Sequence, residues 1–246
     1  MSQSSSELAD WPVAILAGGM ATRLRPMTEK IPKALIPVAD QPFLAHQLRL
    51  LAGAGIRKVV LCLGYRAEMI QEQFGDGNSV GVKLKYSLDG PELLGTGGAI
   101  KKALPFLGEH FLVLYGDSYL PIDYAAPLGA FVESGKLGLM TVFRNEGRWD
   151  TSNVSFQDGI VKSYSKKDRT PEMRYIDYGL GVFDATAFAR WPDVKAFDLA
   201  DVYSNLIAQD ELAGYEVTQR FYEIGSPEGL AELDAMLRAR SLSAAR

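Results

Sequence analysis

The sequence predicts an α/β protein, with a doubly wound, mixed but mostly parallel sheet and helices on both faces. Short apolar runs alternate with amphipathic helical patterns, and the strand–helix order recurs at least three times by residue 115. The second half breaks that rhythm, because two short strand-like runs flank Gln157-Asp158-Gly159, a hairpin-type turn. No Ser/Gly-rich linker or internal repeat separates the halves. One domain over residues 11–240 is therefore expected, with an 11–145 half of strand–helix units and a β-rich 146–240 half.

Each element has its own signal. The apolar runs Val13–Ala17, Lys58–Leu63, Val82–Tyr86, Phe111–Tyr115 and Gly138–Arg144 are expected as strands. Helical periodicity marks Phe43–Ala54, Ala67–Phe74, Gly97–Leu104 and Pro127–Glu133 between them. In the second half Asn153–Phe156, Ile160–Tyr164 and Ile176–Phe183 are expected as strands, and Leu199–Ala208 and Pro227–Ala239 as helices. Ser226 reads as an N-cap with Pro227 at the first helical position. The first ten and last six residues read as frayed ends.

Composition narrows the class. The 246 residues can bury a full core without staples. A net charge of −4, from 26 basic and 30 acidic residues, argues against a broad nucleic-acid surface. Cys62 is the only cysteine and sits in the apolar run Val59–Leu63, so a buried, inert thiol is expected. The polar N-terminus has no leader pattern, and no apolar stretch approaches 18 residues. These features describe a soluble cytoplasmic chain with no membrane partner. The sequence is nearly silent on assembly, and apolar residues in the second half leave a homodimer open.

The segment Leu16-Ala17-Gly18-Gly19-Met20-Ala21-Thr22-Arg23-Leu24-Arg25-Pro26, followed by Ile31-Pro32-Lys33, carries the strongest chemical signal. Glycines at a strand end let the backbone approach a ligand, and their N–H groups can point at phosphate oxygens. Arg23 adds a rigid fork, and Lys33 a point charge on a proline-stiffened segment. Arg25 reads as solvent-facing or structural. This pattern resembles the nucleotide-binding signature of the sugar-1-phosphate nucleotidyltransferases, usually written G-G-x-G-T-R-L-x-P with a later P-K. Ala21 departs from it, standing where the third glycine is usual.

The resemblance runs from Val13 to about Leu237 and implies a Rossmann-like fold and a set of site residues. Leu16, Ala17, Gly18, Gly19 and Thr22 would bind the nucleotide, and Arg23 and Lys33 would offset charge on the triphosphate. Leu94-Gly95-Thr96-Gly97-Gly98-Ala99 resembles the family's second glycine element, placing the nucleobase against Gly95 and Thr96. Asp117, after the strand Phe111–Tyr115, corresponds to the family's metal aspartate. Glu223 in Phe221-Tyr222-Glu223-Ile224-Gly225-Ser226 stands where a second metal aspartate is usual, and Mg²⁺ is the implied cofactor. Lys166 would grip the sugar 1-phosphate, although Ser165 and Lys167 depart from the pattern around it. Asp177, a charge inside the apolar run Tyr175–Phe183, would accept hydrogen bonds from sugar hydroxyls.

The implied reaction joins an NTP and a sugar 1-phosphate into an NDP-sugar with release of pyrophosphate. Within the family the chain looks most like the heptose- or mannose-1-phosphate guanylyltransferase branch, and it is too short for an appended β-helix. Uridylyl or cytidylyl transfer stays open, because the groups that choose the base are not identified between Tyr86 and Glu92. A non-catalytic nucleotide-sugar-binding regulator is a further alternative, kept open by Ala21 and Glu223. A glycosyltransferase would be expected to carry Asp-x-Asp, whereas Asp117 is followed by Ser118-Tyr119. Gly77-Asn78-Ser79-Val80-Gly81 matches a nucleophile-elbow pattern, but a strand follows it instead of a helix. Zinc spacing and a Walker A sequence are both missing.

Overall fold

A computed structural model describes residues 8–19, 24, 26–147, 149, 151–193 and 195–244. A nine-stranded sheet forms the centre. Its first four strands are β5 (Lys83–Leu88), β4 (Lys58–Leu63), β1 (Val13–Leu16) and β6 (His110–Tyr115), all mutually parallel. Helices α1 (Phe43–Gly53), α2 (Ala67–Phe74) and α3 (Gly95–Leu107) connect them. β1 lies between β4 and β6, with Ile15 opposite both Leu61 and Leu114. Val13 and Ile15 enter the apolar core on one face of the sheet, and Ala14 enters the core on the other. Burial on both faces is why this strand reads as an unbroken apolar run rather than an alternating one.

The second half inserts an antiparallel strand. β11 (Tyr175–Asp184) lies between β6 and β8 (Gly138–Arg144), antiparallel to both. Beyond β8 come β12 (Leu212–Val217), β10 (Ile160–Tyr164) and β9 (Val154–Gln157). β9 and β10 pair as the hairpin expected around Asp158-Gly159. The mixed sheet is therefore parallel in the first half and largely antiparallel where β11, β10 and β9 join. Helices α4 (Ala125–Ser134) and α5 (Leu199–Ala208) pack on opposite faces of this half.

Outside the main sheet, β2 (Pro37–Val38) pairs with β3 (Gln41–Pro42), and β7 (Ser118–Tyr119) pairs with β13 (Tyr222–Glu223). The final helix α6 (Pro227–Ala244) closes over them. Val38, Phe43, Tyr119, Ile224, Leu233 and Leu237 form a small separate core there. Asp234 Oδ1 accepts from Ala39 N, and Arg238 makes a two-pronged ion pair with Asp40 at 2.7 and 3.0 Å. None of the described helices is long and apolar enough to cross a membrane.

Candidate active site

The carboxyl ends of β1 and β6 open onto one cleft, as open α/β sheets direct their ligands. β1 ends in Ala17-Gly18-Gly19. A Cβ on Gly18 would stand 3.1 Å from Gly64 N, so the turns after β1 and β4 nearly touch. The N–H groups of Gly18 and Gly19 donate to no protein group among the described residues, which leaves two donors for an anion. Thr22, Arg23 and Ala21 lie outside the described residues.

Lys33 opens a short 3₁₀ turn (Lys33–Leu35) after the extended Pro32. Its Nζ lies 2.9 Å from Asp117 Oδ2. Asp117 follows Gly116, whose own N–H donates to Leu16 O at 3.1 Å and locks the end of β6 to β1. On the other side Ile224 N donates to Asp117 O at 3.0 Å, and the β7–β13 register sets Glu223 opposite Ser118. Two chain segments thus bring carboxylates to the same wall of the cleft. Hard, anionic oxygens from two separate strands suit Mg²⁺, which takes one or two carboxylates and leaves other positions to phosphate and water. Lys33 is no ligand and already holds Asp117 Oδ2, so the donors that fit the implied metal are the two carboxylates, both in the wall of one cavity.

The other side of the cleft is built around Asp177. Its Oδ2 accepts from Tyr115 Oη at 2.6 Å and Tyr164 Oη at 3.3 Å, and its Oδ1 accepts from Gly179 N at 3.0 Å. The register between β11 and β8 shifts between Asp177 and Gly181, and Gly179 takes a φ of +96° that glycine adopts without strain. The charge in this apolar strand therefore already has protein partners, tyrosines 115 and 164, which the sequence did not reveal. Burial raises the Asp177 carboxyl above its ordinary range, and the Tyr115 and Gly179 hydrogen bonds recover only part of that.

A raised folded-state value means the cost of Asp177 is absent below its unfolded value of ~3.9 and appears as pH rises through the folded value. Asp177→Asn is accordingly expected to raise the thermal midpoint at pH 7.5 by about 2–4 °C. The gain should shrink as pH falls towards 4. A scanning-fluorimetry midpoint at or below wild type at pH 7.5 would show that the hydrogen bonds outweigh the burial.

The second glycine element has a packing use. Gly97 N and Gly98 N both donate to Phe197 O, at 3.0 and 3.3 Å, so a neighbouring segment satisfies the first turn of α3. A Cβ on Gly97 would lie 2.4 Å from the Phe197 ring, and one on Gly98 would lie 2.7 Å from Lys195 O. Thr96 lines a cavity of the cleft together with Gly19, Lys33 and Asp117, whereas Gly95 is exposed and lines neither cavity. Asp89, inside the window left unresolved between Tyr86 and Glu92, is buried at the end of β5. Its Oδ2 accepts from Leu94 N at 3.3 Å, its N–H donates to Leu63 O, and its Oδ1 has no hydrogen-bond partner among the described residues. Burial also raises the Asp89 carboxyl above its ordinary range. Cys62 is buried as expected, its thiol pushed up to about 12 by desolvation, and takes no part.

Two adjoining cavities result. One, of about 380 Å³, is lined by Leu16, Ala17, Gly19, Lys33, Thr96 and Asp117, among others. The other, of about 400 Å³, includes Asn153, Tyr164, Arg169, Asp177 and Glu223 in its wall. Tyr115, Asp117 and Lys166 belong to both. A separate cluster of Glu109, His110 and Asp184 gathers ligand atoms within 4.8 Å of one another. It sits at the opposite edge of the sheet, because His110 opens β6 whereas Asp117 follows its last residue, roughly 20 Å away by strand rise.

A doubly wound sheet carrying a glycine turn, two lysines and three carboxylates in one cleft places the chain among α/β nucleotidyl-transferring enzymes. A family model described as nucleotidyl transferase matches residues 13–239, and the chain belongs to that family. It is 39% identical over 154 residues to D-glycero-alpha-D-manno-heptose 1-phosphate guanylyltransferase of Campylobacter jejuni, covering 62% of this chain and 67% of that protein. It is also 39% identical over 231 residues to N-acetylmuramate alpha-1-phosphate uridylyltransferase of Neisseria meningitidis, covering 92% and 97%. Against the catalytic subunit beta of mannose-1-phosphate guanylyltransferase from Drosophila melanogaster, identity is 31% over 220 residues, 87% of this chain. The chain spans only 59% of that relative's length. Among solved structures, HddC from Yersinia pseudotuberculosis complexed with GMP-PN superposes with a TM-score of 0.74 at 26% identity, covering 92% of this chain and 99% of that one.

Proposed function

We propose that the protein transfers a guanylyl group from GTP to a sugar 1-phosphate of the heptose or mannose type, releasing pyrophosphate. The observation that carries this reading is the pair of cavities meeting at Asp117 and Lys166, one suited to a triphosphate and one to a polyhydroxyl acceptor. In the reaction a sugar phosphate oxygen forms a new bond to the α-phosphorus while the bond from that phosphorus to the β-bridging oxygen breaks. The attacking oxygen is already anionic, so no general base is needed.

The chain's own residues then have separate tasks. Gly18 and Gly19 N–H groups and the Lys33 ammonium face the triphosphate; Lys33 spends one donor on Asp117 and keeps two. Arg23 is proposed to add its fork to the same phosphates, and Leu16, Ala17, Thr22, Gly95 and Thr96 to frame the nucleotide. Asp117 and Glu223 would hold Mg²⁺, which supplies charge stabilisation at the transferring phosphate. Lys166 holds the acceptor phosphate, and Asp177 accepts hydrogen bonds from sugar hydroxyls.

Asp89 supports guanine. Guanine presents two adjacent N–H donors, and a buried carboxylate beside Gly18 offers an unshared oxygen to meet them. Identity to the Campylobacter guanylyltransferase points the same way. Uridylyl transfer is the second reading, favoured by the near full-length match to the Neisseria uridylyltransferase.

Pyrophosphate release with four NTPs crossed against hexose and heptose 1-phosphates decides between them. Release is expected with GTP and a manno-configured acceptor. Release with UTP alone would keep the mechanism and overturn the base. Silence with every pair, from a protein that still binds a nucleotide-sugar, would bring forward the regulatory alternative.

A further inference from the structure

The segment Phe197-Asp198, which leads into α5, touches both halves of the cleft. Phe197 O accepts from the first turn of α3, and Phe197 N returns a bond to Leu94 O at 3.1 Å. Asp198 Oδ1 accepts from Thr96 Oγ1 at 3.1 Å and from Lys166 Nζ at 3.0 Å. The same oxygen caps α5 by accepting from Ala200 N at 2.8 Å, and the Thr96 hydroxyl accepts from Leu199 N at 2.8 Å. A single carboxylate oxygen therefore joins a nucleotide-side hydroxyl, an acceptor-side ammonium and a helix start.

Stability alone does not account for the ion pair. The Lys166 and Asp198 side chains are 45% and 48% exposed, and such pairs add little to folding. The pair's effect is geometric. Lysine carries its charge on a flexible four-carbon stem, and ordering that stem is a cost that binding must otherwise meet. Burial works to raise the Asp198 carboxyl, but the Ala200 and Lys166 hydrogen bonds outweigh it and keep the group ionised.

We infer that Asp198 is a positioning residue: its carboxylate fixes Lys166 where the two cavities meet, so that the phosphate of the sugar 1-phosphate encounters an ammonium already in place. One of the three lysine donors is used by Asp198, and two remain for the phosphate. Through Thr96 the same oxygen ties that placement to the nucleotide side. This role rests on the functional reading above and adds a residue to it.

Asparagine caps helices as well as aspartate does but carries no charge, so Asp198→Asn separates the two uses. Initial rates of pyrophosphate release should show the KM for the sugar 1-phosphate raised about five- to tenfold. The KM for the NTP should change clearly less than that for the sugar 1-phosphate, and the thermal midpoint should stay at its wild-type value. Asp198→Ser, which also retains a cap, should reproduce the shift. A merely structural role would instead lower the midpoint and disturb both KM values together. An acceptor KM that is unchanged or lowered in an active protein overturns the positioning role alone. A wild-type protein that releases no pyrophosphate with any substrate pair overturns the functional reading and this role with it.

Discussion

Asp117→Asn is expected to lower kcat/KM for pyrophosphate release by about 10³-fold, with a thermal midpoint close to that of wild type. The side chain keeps its size, and its ion pair with Lys33 is partly exposed, with side-chain accessibilities of 34% and 16%, so little folding energy is at stake. The change is chemical. An amide offers one neutral oxygen where a divalent cation and a triphosphate need an anionic one. A coupled pyrophosphate assay across a range of Mg²⁺ concentrations measures the effect. Activity within tenfold of wild type at saturating Mg²⁺ would remove Asp117 from the metal site.

Gly116→Ala should act through the fold. A Cβ there would lie 2.3 Å from Leu16 O, 2.8 Å from Leu16 C and 3.0 Å from Ala17 Cα, all of them main-chain atoms of the central strand or its end. Backbone cannot swing aside as a flexible side chain can, so β1 and β6 must separate where Asp117 leaves the sheet. A loss of about 3 kcal/mol or more is expected in denaturant unfolding, together with loss of activity. Gly19→Ala is the matched control, since its Cβ would meet nothing within 4 Å among the described residues. Equal unfolding midpoints for the two variants would contradict this account.

What the sequence made legible follows the physics of each element. Val13–Leu16 and Lys58–Leu63 are buried on both faces, and their unbroken apolar character announced them. Leu212–Val217 was missed because Gly214 and Glu216 interrupt the pattern. Gly214 is there because the Phe156 ring leaves no room, with a Cβ falling 2.5 Å from Phe156 Cε2. The two-residue strands at Ser118 and Tyr222 exist only through each other and have no local signal to read.

The candidate site divides in the same way. Lys33, Asp117, Lys166, Asp177 and Glu223 stood out by residue type and motif, and the fold lines them along one cleft. Asp89, proposed to read the base, lies between Tyr86 and Glu92 but could not be picked from the residues there, because burial and direction are tertiary properties. Asp198 was visible only as the residue before a helix. Its bonds to Thr96 and Lys166 span 102 and 32 positions, beyond what local spacing can report.

The separate core beneath α6 has a bearing on how this protein is made. Its members run from Val38 to Leu237, and the contact between Ala39 and Asp234 bridges 195 positions. During synthesis the strands β5, β4, β1 and β6 can associate early, yet Glu223 cannot take its place opposite Ser118 until the segment Tyr222–Glu223 has emerged. Until β11 at Tyr175–Asp184 has emerged, β6 waits with an unpaired edge, a template for unwanted pairing. Slow translation between β6 and β11 would lengthen that aggregation-prone period.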